Sequence, residues 1–387
     1  MKRTVADRTL KKTLTRRQWL SAGAGTLAAS AAAPLLTAGT PLEAATAALP
    51  AAAAQSGTRK VPMTLACWDY DRTRALMDGR VEVEGVDLTY LPLVIEETFF
   101  RQARFREFDA SEMSLSSYTV SLTRDNPAFI AIPIFPSRMF RHSNIWVNTK
   151  KGIRQPKDLI GKRIGMPEFQ LTALVWIRGF LKDDHGVPVE SVTYWTGGLE
   201  DAGRVEKIDL GLPPSIQVDT IDETKTLSQM LDAGEIDALY SPRAPSSFLK
   251  GSPNVARLFP DYPEQERVYY QKYRIFPIMH TVVIRRSLYQ QHPWIAQNLY
   301  KAFIESQRLA YADLNELAAL KTMLPWLPQH IEDTKKTMGD DYWPYGLEKN
   351  METLTRFLRY HYEQGLSKRL LTPKELFAPE SLERFKI

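Results

Sequence analysis

The chain has 387 residues, 50 Lys and Arg against 45 Asp and Glu, 44% apolar residues and one cysteine. Its basic excess is confined to residues 1–54, where seven basic side chains face only Asp7 and Glu43; the remainder carries no net charge. A dedicated nucleic-acid binder is thereby excluded, because no basic excess remains to displace counterions from a phosphate backbone, and a lone thiol excludes a disulfide framework or a multi-cysteine metal site.

Residues 1–54 read as an export address. A basic segment ends in Arg16-Arg17-Gln18-Trp19-Leu20, an Ala/Gly/Leu stretch follows from Ser21 to Gly39, and small-residue runs up to Ala54 suit a processing site. The paired arginine points to the route that carries folded proteins to the periplasm. Pro34 and the many alanines argue against a permanent anchor, and no later segment approaches about 20 uninterrupted apolar residues. No stable membrane span is expected after processing, and folded structure is expected from near Thr58.

From Pro62 the pattern alternates. Pro62–Trp68 predicts a strand that ends at Asp69-Tyr70-Asp71-Arg72, and a helix from Arg72 to Asp78 closes at Gly79. Val86–Leu93 alternates as a strand, and Ile95–Phe108 is an amphipathic helix. Ala110–Ser114 is a short strand running into serine-rich turns. Phe129–Phe135, apolar throughout, predicts a strand covered on both faces, and Asn144–Asn148 another. Leu171–Lys182 predicts a helix, Val192–Trp195 a strand, and the charged stretch Gly197–Leu212 a surface excursion. Strands at Ile216–Ile221 and Asp237–Tyr240 flank a helix at Thr226–Ala233. Phe276–Ile284 returns as a strand, and helices follow at His292–Leu314, Leu317–Trp326 and Leu347–Gln364.

Such alternation predicts an α/β fold with largely parallel sheets. Two α/β units, with a chain that leaves the first and comes back, predict a two-lobed clamp with a helical C-terminal region. Lobe 1 is expected over 58–148 plus 260–387, lobe 2 over 149–259, and a ligand at the strand ends between them.

Asp158-Leu159-Ile160-Gly161-Lys162-Arg163-Ile164-Gly165 and Leu231-Asp232-Ala233-Gly234-Glu235-Ile236-Asp237-Ala238 resemble the elements that open and close the second lobe of type II periplasmic solute-binding proteins. A closer likeness spans nearly all of Pro62 to Ile387. Ala66–Thr73, Glu112–Tyr118, Phe135–Ser143 and Phe276–Thr281 resemble the 4,5-dihydroxyphthalate decarboxylase family, which shares that binding-protein fold. The export signal departs from the pattern, since a catabolic decarboxylase is expected in the cytoplasm.

The chemistry-bearing residues cluster at predicted strand ends. Asp69 follows the first strand as a candidate base or metal ligand, while Asp71 suits a helix cap. Arg138, Arg141 and His142 form the densest group: guanidiniums bind carboxylates bidentately, and a histidine beside them can move a proton at neutral pH. His280 lies within an apolar strand, where a lone histidine is either a satisfied core residue or the proton donor. Arg243 ends another strand and is a candidate anchor for an anion. Glu112 and Ser116 are candidates for hydrogen bonding to ligand, with a serine helix cap as the alternative. The remaining histidines, His185, His292, His330 and His361, have surface or helix contexts.

The resemblance implies non-oxidative loss of CO2 from a hydroxylated aromatic carboxylate, with Arg138 and Arg243 as anchors, His142 or His280 as proton donor and Asp69 as base. A divalent metal is compatible, but no pair of ligands at i, i+4 supports one. The same arginines would serve a binding protein that hands a small carboxylate to an ABC permease.

Overall fold

A computed structural model describes residues 59–382 except 205 and 207–209. The export address lies outside the described residues. Eleven strands and eleven helices follow in chain order: β1 (Val61–Ala66), α1 (Arg74–Met77), β2 (Val86–Leu91), α2 (Ile95–Phe105), β3 (Ala110–Ser114), α3 (Leu115–Leu122), β4 (Phe129–Ile132), β5 (Ile145–Asn148), β6 (Arg163–Met166), α4 (Thr172–His185), β7 (Thr193–Thr196), β8 (Gln217–Thr220), α5 (Leu227–Ala233), β9 (Ala238–Tyr240), α6 (Ser246–Leu249), β10 (Val255–Arg257), α7 (Tyr262–Tyr273), β11 (His280–Arg285), α8 (Arg286–Gln291), α9 (Trp294–Asn315), α10 (Leu327–Met338) and α11 (Met351–Glu363).

Two sheets organise them. The first has the order β2-β1-β3-β11-β4, parallel among β1, β2 and β3, with β11 antiparallel to both β3 and β4. The second has the order β10-β5-β9-β6-β7-β8, parallel from β9 to β8 and antiparallel across β5. The chain therefore leaves the first sheet after β4, builds the second, and rejoins the first as β11. This is the mixed α/β, two-lobed clamp expected from the alternation.

Pairing moves the first crossing forward. Ile145–Asn148 hydrogen-bonds β9 and β10, so the chain has entered the second lobe by Ile145 rather than near Asn148. The second crossing contains α7, whose Asp261-Tyr262-Pro263-Glu264 start, with proline in the first turn and an acid behind it, is a helix signal in its own right. The helix expected at Leu317–Trp326 does not form. Pro325 disfavours helical backbone at Leu324, and Pro328 is tolerated only in a first turn, so α10 starts at Leu327 instead.

The core runs through both sheets, with a smaller cluster around Trp146, Leu227 and Leu239 beneath the second. Helix α4 ties the halves together. Its Trp176 is fully buried and donates its indole N–H to the Ile278 carbonyl at 2.9 Å, just before β11. Gly179 lets α11 approach closely, since a Cβ there would meet the Tyr360 ring at 2.1 Å. No helix among the described residues is long and apolar enough to cross a membrane.

Candidate functional site

The carboxyl ends of β1 and β3 and the start of β11 meet at one edge of the first sheet. In register, His280 lies opposite Ser114, and Val282 opposite Glu112. Period-two alternation puts Glu112, Ser114 and His280 on one face, so Glu112 and His280 are diagonal neighbours. The Glu112 carboxylate has no exposure, and its Oε1 stands 2.5 Å from His280 Nδ1. Tyr70 donates its hydroxyl to Oε1 at 2.7 Å, and the Trp68 N–H donates to Oε2 at 3.3 Å. Cys67, just after β1, points its Sγ at Oε2 from 3.6 Å.

Burial pushes the Glu112 carboxyl up. The charge of His280 and the bonds from His280, Tyr70 and Trp68 outweigh it and hold the group below the ordinary range. Glu112 is thus an ionised acceptor that fixes the proton of His280 on Nδ1 and turns Nε2 outward. Burial keeps Cys67 protonated, its pKa raised further by the Glu112 charge. Phe99 of α2 meets the imidazole edge-on at 4.8 Å between centroids.

This edge faces the second lobe. Ser114 caps α3 by accepting from the Ser117 N–H, and its hydroxyl lies 2.9 Å from that of Thr172, the first residue of α4. The Thr172 hydroxyl also accepts the Ser116 N–H at 3.0 Å, and Ser117 donates to Gln170 at 2.7 Å. One turn from Phe99, Glu96 stands 3.5 Å from both Arg204 and Arg243 of the second lobe. His280 therefore lies across the ladder from Ser114, whose hydroxyl meets Thr172 of the second lobe, and beside Phe99 of α2, a positioned imidazole of the kind that serves proton transfer.

Within the segment read as a surface excursion, Arg204 and Glu206 are half-buried. Arg204 pairs with the fully buried Glu168, and Glu206 accepts the N–H groups of Phe169 and Gln170 at 3.0 and 3.2 Å. Burial and the Glu168 charge raise Glu206 to about 7. Nothing periodic marks that stretch, and its charges alone suggested solvent.

Several expected site residues take other roles. Asp69 is exposed and holds Arg74 at 2.9 Å, outside the Glu112–His280 cluster. His142 is stacked on Phe180 at 4.2 Å, flanked by Phe259 and Tyr269, and burial lowers it to about 4, so it is a neutral core histidine. Arg138 is buried and donates to the carbonyls of Phe276 and Pro344 at 2.8 and 2.7 Å and to Asn350. These bonds make it a clasp between the hinge and the C-terminal helices. Arg141 is buried against Met279 Sδ and Asn144. Ser116 is fully buried, its hydroxyl 3.0 Å from His361 Nε2. His361, read as a residue of surface or helix context, lies in α11, is completely buried and is lowered to about 3 by burial. Arg243 alone of the arginine group is exposed on the cleft side, opposite Glu96. Among the described residues no group of three or more His, Cys, Asp or Glu side chains is placed to hold a metal ion.

Strand order and a site between two sheets define a protein of the periplasmic-binding-protein fold. The solved periplasmic sulfonate-binding protein SsuA of Methylobacillus flagellatus shares it at 13% identity and a TM-score of 0.50, over 84% of this chain and 93% of that one. A 4,5-dihydroxyphthalate decarboxylase of Comamonas testosteroni is 44% identical over 328 residues, 85% of this chain and 99% of the relative. One from Pseudomonas putida is 48% identical over 202 residues, 52% of this chain and 78% of that relative. No family model matches the sequence. The chain belongs to the 4,5-dihydroxyphthalate decarboxylase family.

Proposed function

We propose that this protein removes one carboxyl group, as CO2, from a hydroxylated benzene dicarboxylate of the kind its relatives' names specify, 4,5-dihydroxyphthalate. The observation that carries the reading is the buried Glu112 carboxylate 2.5 Å from Nδ1 of His280, whose side chain keeps 14% exposure. Glu112 keeps one imidazole proton on Nδ1, and His280 presents the other, on Nε2, to the ring carbon bearing the departing carboxylate. A proton adds at that carbon, the hydroxyl para to it supplies the electron density, and the carbon–carboxylate bond then breaks to release CO2 and restore aromaticity. The proton consumed is regained by His280 from solvent. Atoms balance as one substrate and one proton giving 3,4-dihydroxybenzoate and CO2. Arg243, 3.5 Å from Glu96, re-pairs with the carboxylate that stays.

Incubation of purified protein with 4,5-dihydroxyphthalate tests this. Formation of 3,4-dihydroxybenzoate with stoichiometric CO2 supports it. Saturable binding without product would instead favour a solute-binding protein that hands the acid to an ABC permease.

Export to the periplasm is proposed from the sequence of residues 1–54 alone, with the twin arginine and alanine-rich run as its support. Fusing those residues to a reporter that is active only after export tests it.

A further inference from the structure

A cavity of about 440 Å³ lies beside the crossings between the lobes, within the size range of small-molecule sites. Aromatic plates wall it: Phe140 and Phe276, stacked at 4.8 Å between centroids, with Trp146 and Tyr262. Pro242 and Ala244, which flank the cleft residue Arg243, also line it.

Its polar groups are under-used. Trp146 is 1% exposed, yet its buried indole N–H has no acceptor, and the buried Nε–H of Arg138, also on the lining, has none either. A buried N–H without a partner is costly, so two on residues of one lining call for an explanation. Arg257 donates to the Ser143 carbonyl at 3.2 Å and lies over the Phe248 and Tyr262 rings, with no carboxylate within ion-pair distance among the described residues. Glu266, also on the lining, is raised to about 7 by burial, which weakens its hold on a negative charge beside the cations.

We propose that this hinge cavity binds a planar aromatic carboxylate, its ring between the aromatic walls and its carboxylate against Arg257 and the indole N–H of Trp146. The choice of acid rests on the proposed function; the cavity and its orphaned donors do not.

Phthalate, which lacks the ring hydroxyls, serves as an unreactive probe in titrations followed by tryptophan fluorescence and calorimetry. Wild type and His280→Gln should titrate alike. Trp146→Phe should lose the quenching and bind about tenfold more weakly, and Arg257→Gln should weaken binding by a similar factor. Unaltered phthalate affinity in both variants, or no binding to wild type, overturns the proposal. Decarboxylation of 4,5-dihydroxyphthalate by wild type, with no phthalate titration that depends on Trp146 or Arg257, would overturn this cavity assignment and leave the proposed reaction standing. Phthalate titration that depends on Trp146, without any decarboxylation of 4,5-dihydroxyphthalate, would do the reverse.

Discussion

Glu112 and His280 sit diagonally across the β3–β11 ladder, two residues out of direct register, with carboxylate and imidazole 2.5 Å apart. Antiparallel pairing puts both on one face, and the segment that follows β1 closes that face with Cys67 and the Trp68 N–H. The arrangement costs stability, because a carboxylate is taken out of water, and is held by the donors that surround it. The cost is intelligible if the orientation of one imidazole is what the strands preserve.

Substituting His280 by Gln keeps side-chain volume and removes the transferable proton. Turnover of 4,5-dihydroxyphthalate is expected to fall by about 10²–10⁴, the usual worth of a positioned general acid, with folding intact by circular dichroism. Glu112→Gln should lower kcat less than His280→Gln while changing its pH profile, because the imidazole remains but its charged orienting partner is gone. A pH profile unchanged in Glu112→Gln would contradict the orienting role.

Asp69 pairs with Arg74 and is 44% exposed at its side chain. Exposed pairs of this kind contribute about 0–1 kcal/mol. Asp69→Asn should therefore retain kcat and KM close to wild type and shift the melting temperature little. A large loss of kcat would return Asp69 to the chemistry.

Arg138 holds three acceptors from two segments, and its burial lowers the guanidinium to about 9. Arg138→Met leaves the Phe276 carbonyl and Asn350 Oδ1 without this donor, while the Pro344 carbonyl keeps its bond from Asn350. Denaturant unfolding should record a loss of about 3 kcal/mol. Stability equal to wild type would show that the clasp contributes nothing.

Buried neutral histidines make the fold sensitive to acid. His142 and His361 are lowered to about 4 and about 3, against about 6.5 in an unfolded chain. Between those values and 6.5 the unfolded state binds more protons, so stability falls as pH falls through that window, by at most about 1.4 kcal/mol per pH unit for each group. His142→Phe, which preserves the stack on Phe180, should flatten the decline between pH 6.5 and 4. An unfolding midpoint with the same pH slope in the variant would contradict this account.

The order of elements was legible because strands buried on both faces, such as Phe129–Ile132, and amphipathic helices such as α2 write their periods into the chain. Glu112 and His280 could be singled out as polar residues within short apolar strands, although the strand alone cannot say that one stands behind the other. The arginine group misled. A guanidinium saturated by backbone carbonyls, as in Arg138, looks the same in sequence as one awaiting an anion. His361 was legible as a helix residue, but nothing in its α11 neighbours Arg359 and Tyr362 shows that the helix turns it inward to Ser116. Arg204 and Glu206 lie in a stretch without period, and only tertiary folding brings them to the cleft.

The most direct test places binding and chemistry in one sample: His280→Gln protein mixed in excess with 4,5-dihydroxyphthalate, followed for a single turnover beside wild type. The account predicts that the variant binds the acid with wild-type affinity yet forms 3,4-dihydroxybenzoate at least about a hundredfold more slowly. Product formation at the wild-type rate in the variant would contradict it.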